Sequence, residues 1–144
     1  MVEIVANISD GSTEMGWLRQ FVAESNRIEG ILRPPTEHEV TAMENFLELE
    51  DISVIDICAL VSVFQPDAQL RARPGMDVRV GGHYPMPGGI KVAESLDNWC
   101  NTHLRRGPYQ AHKDYEYLHP FTDGNGRSGR ALWLYGMKAQ GRLL

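Results

Sequence analysis

Apolar residues recur at helical spacing in the first third of the chain. Over residues 13–29 they return every three or four positions, which predicts an amphipathic helix that ends at Gly30. After a Pro-Pro pair, Thr36 and Glu39 form a capping-box pattern that predicts the start of a second helix. The residues expected to face the core are Leu18, Phe21, Val22, Ser25 and Ile28 in the first helix, and Val40, Met43, Phe46 and Leu47 in the second.

Residues 53–64 are apolar on nearly every side, which is typical of a helix buried in the middle of a domain. Their β-branched residues leave a strand possible, although the length of the run favours a helix. Further helices are predicted over residues 91–105, 109–118 and 127–140, with a Gly-Pro pair between the first two. The residues expected to face inward are Val92, Leu96, Trp99, Cys100 and Leu104, followed by Leu132, Trp133 and Met137 in the last helix.

The pattern changes in the middle of the chain. Residues 77–80 alternate between polar and apolar, and a run rich in glycine and proline follows. This combination predicts a hairpin-like flap over residues 77–90. We find no internal repeat or linker, so we expect one mainly α domain over residues 1–144 with a short β-hairpin flap.

Composition narrows the class of partner. The formal net charge is −5 and the isoelectric point is near 5.5, which argues against a surface built for nucleic acid. The arginine pairs are therefore expected to lie on solvated faces; they are Arg71 with Arg73 and Arg105 with Arg106.

The sequence also indicates a compartment. Residues 1–15 lack a basic start followed by an apolar core, so we expect no signal peptide. The longest apolar run, residues 57–64, is too short to cross a bilayer. Cys58 and Cys100 match no metal-binding spacing and are expected to be free and reduced. We expect a cytoplasmic protein with no membrane partner.

The candidate chemistry lies in residues 119–130, with the sequence HPFTDGNGRSGR. Glycines at the start of a helix leave backbone N–H groups free to bind an anion, and Arg127 and Arg130 can both donate to phosphate oxygens. Asp123 is a ligand of the kind that Mg²⁺ takes together with substrate phosphates. His119 has the pKa of a general base. Without reference to any family, these residues predict a polyphosphate site with a base beside it.

The same residues carry a resemblance. HPFTDGNGRSGR resembles the signature HPFx(D/E)GNGRxxR of the Fic family, with every specified position filled. Most members of that family transfer AMP from ATP to a hydroxyl side chain of another protein. The resemblance implies a Fic-type helical domain that uses ATP and Mg²⁺ and acts on a protein target.

The resemblance also implies individual roles. His119 would deprotonate the target hydroxyl, and Asp123 would bind Mg²⁺. The turn at Gly124, Asn125 and Gly126 would hold the α-phosphate, and Arg127 and Arg130 would bind the β- and γ-phosphates. Without the family, each has a plainer interpretation: a structural histidine, a turn aspartate, a helix-starting turn and a charged helix face. Residues with no expected part in the chemistry are Phe121 as a core anchor, Tyr115 and Tyr117 as packing residues, and the structural or solvated His38, His83, His103 and His112.

A second motif lies upstream. Residues 25–30, SNRIEG, resemble the family's inhibitory motif (S/T)xxxE(G/N), which would make residues 13–30 an inhibitory helix. By this resemblance Glu29 pairs with Arg130 and blocks the γ-phosphate position, while Ser25 supports the geometry without doing chemistry. The alternative is an exposed glutamate at the end of an ordinary helix.

The flap has a role in the family as well. It would dock the segment of the target that is modified, through main-chain pairing, with Val80, Gly82 and Tyr84 as the positions to test. The alternative is a simple connector.

Other functions stay open at this stage. The same site could remove AMP, with Glu29 positioning a water, or transfer a different phosphorylated group. A toxin-type or nucleotide-binding regulatory module is a further alternative. Homo-oligomers and self-modification are also possible.

Overall fold

The computed structural model describes residues 14–141, so the predictions for residues 1–13 and 142–144 lie outside it. The described chain forms α-helices with the following bounds: α1 Glu14–Ile28, α2 Glu37–Leu47, α3 Val54–Phe64, α4 Ile90–Arg106, α5 Pro108–Leu118 and α6 Asn125–Ala139. The prediction of a mainly α domain is confirmed.

Local sequence explains where several helices begin. Thr36 and Glu39 form the predicted capping box at the start of α2. Ser53 and Asp56 form a second one at the start of α3. Pro108 opens α5, where its missing N–H costs nothing and its fixed φ suits a first helical turn. Each of these signals acts within one turn of chain, which is why the sequence alone locates these helices well.

Helix α6 is the centre of the fold. Every residue in 127–136 is buried, and α6 packs against each of the other five described helices. Gly129 and Gly136, seven positions apart on one face, bring α6 close to α5. A Cβ at Gly136 would lie 3.3 Å from the side chain of Pro108, and one at Gly129 would overlap the carboxylate of Glu116. The signature therefore begins the most buried helix of the domain.

The expectation that residues 53–64 form the buried centre is wrong. In α3 only Ile57, Leu60 and Val61 are buried, and Ile55 is 79% exposed. Helix α6 fills the middle of the domain, so α3 does not lie at the centre. Because α3 is apolar on all sides, part of its apolar surface is left exposed.

Two inward-facing predictions are also wrong. Ile28 and Leu104 are exposed. On α4 the inward position of the last turn belongs to His103, which stacks on Trp99 with ring centroids 4.6 Å apart and turns the neighbouring Leu104 outward. On α1 the buried residues of the last turn are Ser25 and Asn26, so Ile28 lies on the outer side.

The flap differs from the predicted hairpin. Within the described chain its pairing is a single isolated antiparallel bridge, in which Val80 and His83 exchange two N–H···O bonds of 2.9 Å. No strand ladder extends from this bridge, and Pro85 and Pro87 lack the backbone N–H groups that further pairing would need. The segment is a tight turn on a loop.

None of the described helices is long and apolar enough to cross a membrane.

Candidate active site

The signature turn is closed by its own asparagine. Asn125 is buried, its Oδ1 accepts from the backbone N–H of Phe121 at 2.9 Å, and its Nδ2 donates to the carbonyl of Phe121 at 2.8 Å. The side chain expected to contact the α-phosphate is thus engaged within the turn. The side chain of Phe121 is buried in the core, as predicted, and this fixes the backbone to which Asn125 bonds.

Gly124 gives the turn its shape. It has φ 79° and caps the start of α6, and its N–H donates to the carboxylate of Asp123 at 2.8 Å. A Cβ here would lie 3.3 Å from Val61 and Gln65 of the neighbouring α3 region, so both the conformation and the space favour glycine. The first N–H groups of α6 have no partner within the helix, and this terminus can receive an anion.

Glu29 and Arg130 form an ion pair at this terminus. Nη2 of Arg130 donates to Oε2 of Glu29 at 2.7 Å. Arg130 also donates from Nε to Oγ of Ser25 at 2.8 Å and from Nη2 to the carbonyl of Ser25 at 2.9 Å. The guanidinium is therefore held by three acceptors at the end of α1, two from Ser25 and one from Glu29, which directly follows the helix.

The carboxylate of Glu29 also lies directly against Gly126. A Cβ built on Gly126 would be 2.5 Å from Oε2 of Glu29 and 3.2 Å from Nη1 of Arg130. Glycine is what lets an acidic group come this close to the start of α6. The place where an anion is expected to bind is thus filled by a negatively charged side chain of the same protein.

Arg127 has different surroundings. It is buried, Nη2 donates to the side-chain oxygen of Gln65 at 2.8 Å, and its guanidinium lies 5.6 Å from the ring centroid of Phe64. Its Nε has no hydrogen-bond partner among the described residues. Burial lowers the pKa of Arg127, with Glu29 among the charges that oppose the shift. Arg127 is a buried cation with spare donor capacity.

His119 lies at the end of α5 in a left-handed conformation, with φ 49° and ψ 63°. Burial lowers the pKa of His119, the charges of Arg71 and His83 add to the shift, and Asp123 opposes it. The imidazole is therefore neutral at neutral pH, which is the form that accepts a proton.

Asp123 is an exposed carboxylate beside the glycine turn. The described residues contain no group of three or more histidine, cysteine, aspartate or glutamate side chains able to hold a metal. A single carboxylate fits Mg²⁺, which commonly takes one or two protein ligands and completes its shell with phosphates and water.

The flap residues singled out from the sequence lie at the surface. Tyr84 is 69% exposed and lies under the guanidinium of Arg79, while Val80 and Gly82 are also exposed. His83 connects the flap to α5, because its ring centroid lies 4.4 Å from that of Tyr117 and its Nε2 lies 3.0 Å from the Tyr117 carbonyl oxygen. Of the predicted packing residues, Tyr117 is thus mostly exposed, while Tyr115 is buried with its hydroxyl 2.7 Å from Oγ of Ser128.

Two polar residues next to the site carry no signal in the sequence. Arg71, expected on a solvated face, is fully buried and donates to backbone carbonyls, including that of His119 at 2.8 Å. The carboxylate of Glu116 lies against Gly129, and burial raises its pKa to about 7. Neither residue belongs to a local motif, and the sequence contains no signal that distinguishes Arg71 from its exposed neighbour Arg73.

The fold and the site together define a helical domain in which a glycine-rich turn opens the central helix and a histidine immediately precedes that turn. The chain belongs to the Fic/DOC family, whose profile matches residues 3–135.

Over 63 residues the chain is 40% identical to the Protein adenylyltransferase Fic of Culex quinquefasciatus. The match covers 38% of this chain and 13% of that relative, so the chain corresponds to a small part of the relative's length.

Proposed function

We propose that this domain transfers AMP from ATP to a Ser, Thr or Tyr hydroxyl of a target protein, and that Glu29 restrains the reaction. The observation that carries the proposal is the contact of one carboxylate with both Arg130 and Gly126. An acidic side chain there competes directly with a phosphate for a guanidinium and a helix terminus.

The reaction needs a base, an anion site and a leaving-group site. His119 takes the proton of the acceptor hydroxyl as its oxygen attacks the α-phosphorus, and the bond from that phosphorus to the bridging oxygen breaks to release pyrophosphate. The N–H groups of Gly126 and its neighbours at the start of α6 hold the α-phosphate. Because the Asn125 side chain is already bonded to Phe121, its part is to fix the turn.

The arginines hold the other phosphates. Arg130 binds the γ-phosphate once Glu29 has left, and Arg127 binds the β-phosphate. Asp123 would hold Mg²⁺, which neutralises phosphate charge when it is bound.

The test is transfer of α-labelled AMP in the presence of Mg²⁺ to the chain itself and to candidate proteins. We expect little label with wild type, strong label with Glu29→Gly, and none with Glu29→Gly/His119→Ala. Glu24→Gln is the matched control, because it removes a carboxylate from the same helix, where that group lies 3.7 Å from Arg27. Label that is equal in wild type and Glu29→Gly would refute the restraint, and label that survives loss of His119 would refute its role as the base.

Removal of AMP is a second candidate for the same site. The side chain of Glu29 remains 38% exposed while it is bonded to Arg130, so water reaches its carboxylate. In this case a labelled target loses AMP with wild type and keeps it with Glu29→Gly, which is opposite to the dependence expected for transfer.

A further inference from the structure

The segment before the flap is fastened to the signature turn by its backbone. Leu70 and Phe121 form an antiparallel bridge, the N–H of Arg71 donates to the carbonyl of Pro120, and the N–H of Thr122 donates to the carbonyl of Gln69, each at 2.9 Å. The chain that leads into the flap is thus paired with the residues that follow His119.

The side chain of Arg71 continues this connection through the interior. Nε donates to the carbonyl of His119 at 2.8 Å and Nη2 to that of Leu118 at 3.1 Å. Nη1 donates to the carbonyls of Met86 at 2.8 Å and Met76 at 3.1 Å. One guanidinium therefore joins both ends of the loop 77–85 to the end of α5.

The charge of Arg71 has no ordinary counter-ion. No carboxylate of the described residues lies within ion-pair distance of it, although Asp77 is close enough to oppose the effect of burial on its pKa. A buried charge is costly unless hydrogen bonds compensate it. Here the compensation comes from carbonyls, two of which belong to the end of α5, where the helix dipole is negative.

The hydrogen bond from Arg71 to the carbonyl of His119 is made at a residue with an unfavourable backbone conformation. His119 is the non-glycine residue with positive φ in the described chain, and L-residues adopt that conformation only when surrounding structure holds it. The bond from Arg71 to the His119 carbonyl supplies such a hold. Three charged groups influence the pKa of the His119 imidazole. His83 belongs to the flap, Asp123 belongs to the signature, and Arg71 belongs to the segment that bonds to both.

We propose that Arg71 is a positioning residue that couples the target-docking flap to the base, so that an acceptor bound on the flap meets His119 in a fixed place. This inference rests on the proposed transfer reaction and on the flap as the docking surface. It assigns Arg71 no contact with ATP or with the acceptor.

The first test needs no variant. In the wild-type protein, ¹⁵N NMR is expected to show slow exchange of the Arg71 Nε–H, at least 100-fold slower than that of exposed Arg73. Equal exchange rates for the two groups would overturn the buried connection, whether or not the protein transfers AMP.

The second test compares three variants in the Glu29→Gly background. Arg71→Gln removes the charge and most of the bonds, Arg71→Lys keeps the charge but cannot reach all the carbonyls, and Arg73→Gln is the exposed control. We expect transfer at saturating ATP to fall at least 30-fold for Arg71→Gln and about tenfold for Arg71→Lys, while the Kd for ATP stays within twofold. A Kd for ATP that weakens in step with the rate would show a general structural effect and overturn the proposal.

NMR titration of the His119 ring supplies a readout that is independent of activity. With Arg71→Gln the midpoint is expected to rise, because a positive charge that disfavours the imidazolium is gone, whereas Arg71→Lys and Arg73→Gln leave it unchanged. Identical midpoints for all four proteins would overturn the coupling. If these NMR results hold but no variant labels any protein, the failure belongs to the proposed function and not to the connection through Arg71.

Discussion

Oε2 of Glu29 accepts a 2.7 Å hydrogen bond from Nη2 of Arg130, a residue 101 positions later in the chain. The bond joins the residue that directly follows α1 to the first turns of the central helix α6. It places a negative charge where the signature would receive a phosphate. Because Glu29 is partly exposed and Arg130 is almost fully buried, the glutamate is the partner that is free to leave.

Ser25 should contribute to the same restraint. Ser25→Ala removes the acceptor for Nε of Arg130, and a hydrogen bond is worth about 0.5–1.5 kcal/mol. We expect the initial rate of AMP transfer to rise roughly threefold to tenfold over wild type, and to remain below that of Glu29→Gly. Ser62→Ala, which removes an exposed hydroxyl from α3, is the control. An unchanged rate would mean that Ser25 does not hold the pair together.

A substitution at Gly126 can displace Glu29 and at the same time block the proposed phosphate position. Gly126→Ala would push the flexible end of Glu29 aside, since its Cβ falls 2.5 Å from Oε2, and would also fill the anion position. We expect no ATP binding by calorimetry for this variant or for Glu29→Gly/Gly126→Ala, with the midpoint of thermal unfolding little changed. Restoration of ATP binding in the double variant would show that the phosphate does not lie against Gly126.

The pH dependence of transfer tests the proposed role of His119 as the base. Burial, Arg71 and His83 lower the pKa of His119, so the imidazole stays deprotonated below pH 6.5 and activity is lost only as pH falls through the lowered value. For Glu29→Gly we expect the acidic midpoint of kcat/KM below 6.5. The same variant with His83→Gln should show a higher midpoint, because one cause of the lowering is removed. A midpoint at or above 6.5 in the first variant would argue against His119 as the base.

Two titratable side chains, His103 and Glu116, should give the stability opposite dependences on pH. Burial lowers the pKa of His103 to about 4. Between pH 6.5 and 4 the unfolded chain therefore binds a proton that the folded chain does not, and the free energy of unfolding decreases as pH falls through this range. Burial raises the pKa of Glu116 to about 7, so Glu116 costs stability as pH rises from 4.5 to 7.

Each effect amounts to about 3 kcal/mol, from 1.36 kcal/mol per unit of pKa. Urea unfolding should be measured from pH 4 to 7.5. The free energy of unfolding of Glu116→Gln should increase relative to wild type as pH rises, and that of His103→Gln should increase relative to wild type as pH falls. The exposed His38→Gln is the control and should run parallel to wild type. Parallel curves for Glu116→Gln or His103→Gln would contradict the corresponding shift.

The sequence located most of the helices because the signals that start and stop helices are local. The capping pair Thr36–Glu39 and the Gly-Pro break before α5 act within one turn, and the structure confirms each of them. The sequence pattern predicts the start of α6 at Arg127, whereas the helix begins at Asn125. The pattern assigns Gly124 and Asn125 to the turn, but Asn125 lies inside the helix while its side chain bonds to the backbone of Phe121.

Predictions that depended on burial were less successful. Arg71 and Arg73 are indistinguishable in sequence, yet one is fully buried and the other is exposed. Similarly, the apolar composition of α3 suggested a central helix, while the true centre is α6 with its glycines, serine and arginines. Burial is a property of the assembled domain, since it depends on which surfaces remain after the other helices have packed.

The sequence by itself determined the chemical groups of the site and their local order. The histidine, the aspartate, the glycine turn and the two arginines lie within twelve consecutive residues, and the helical pattern fixes how they follow one another. The tertiary structure decided which distant groups meet them. Glu29 and Ser25 reach Arg130, and Arg71 reaches the carbonyl of His119, because α1 and the segment before the flap pack against the two ends of the signature. Those contacts form between segments about 50 to 105 residues apart, and only the packing of the helices brings them together.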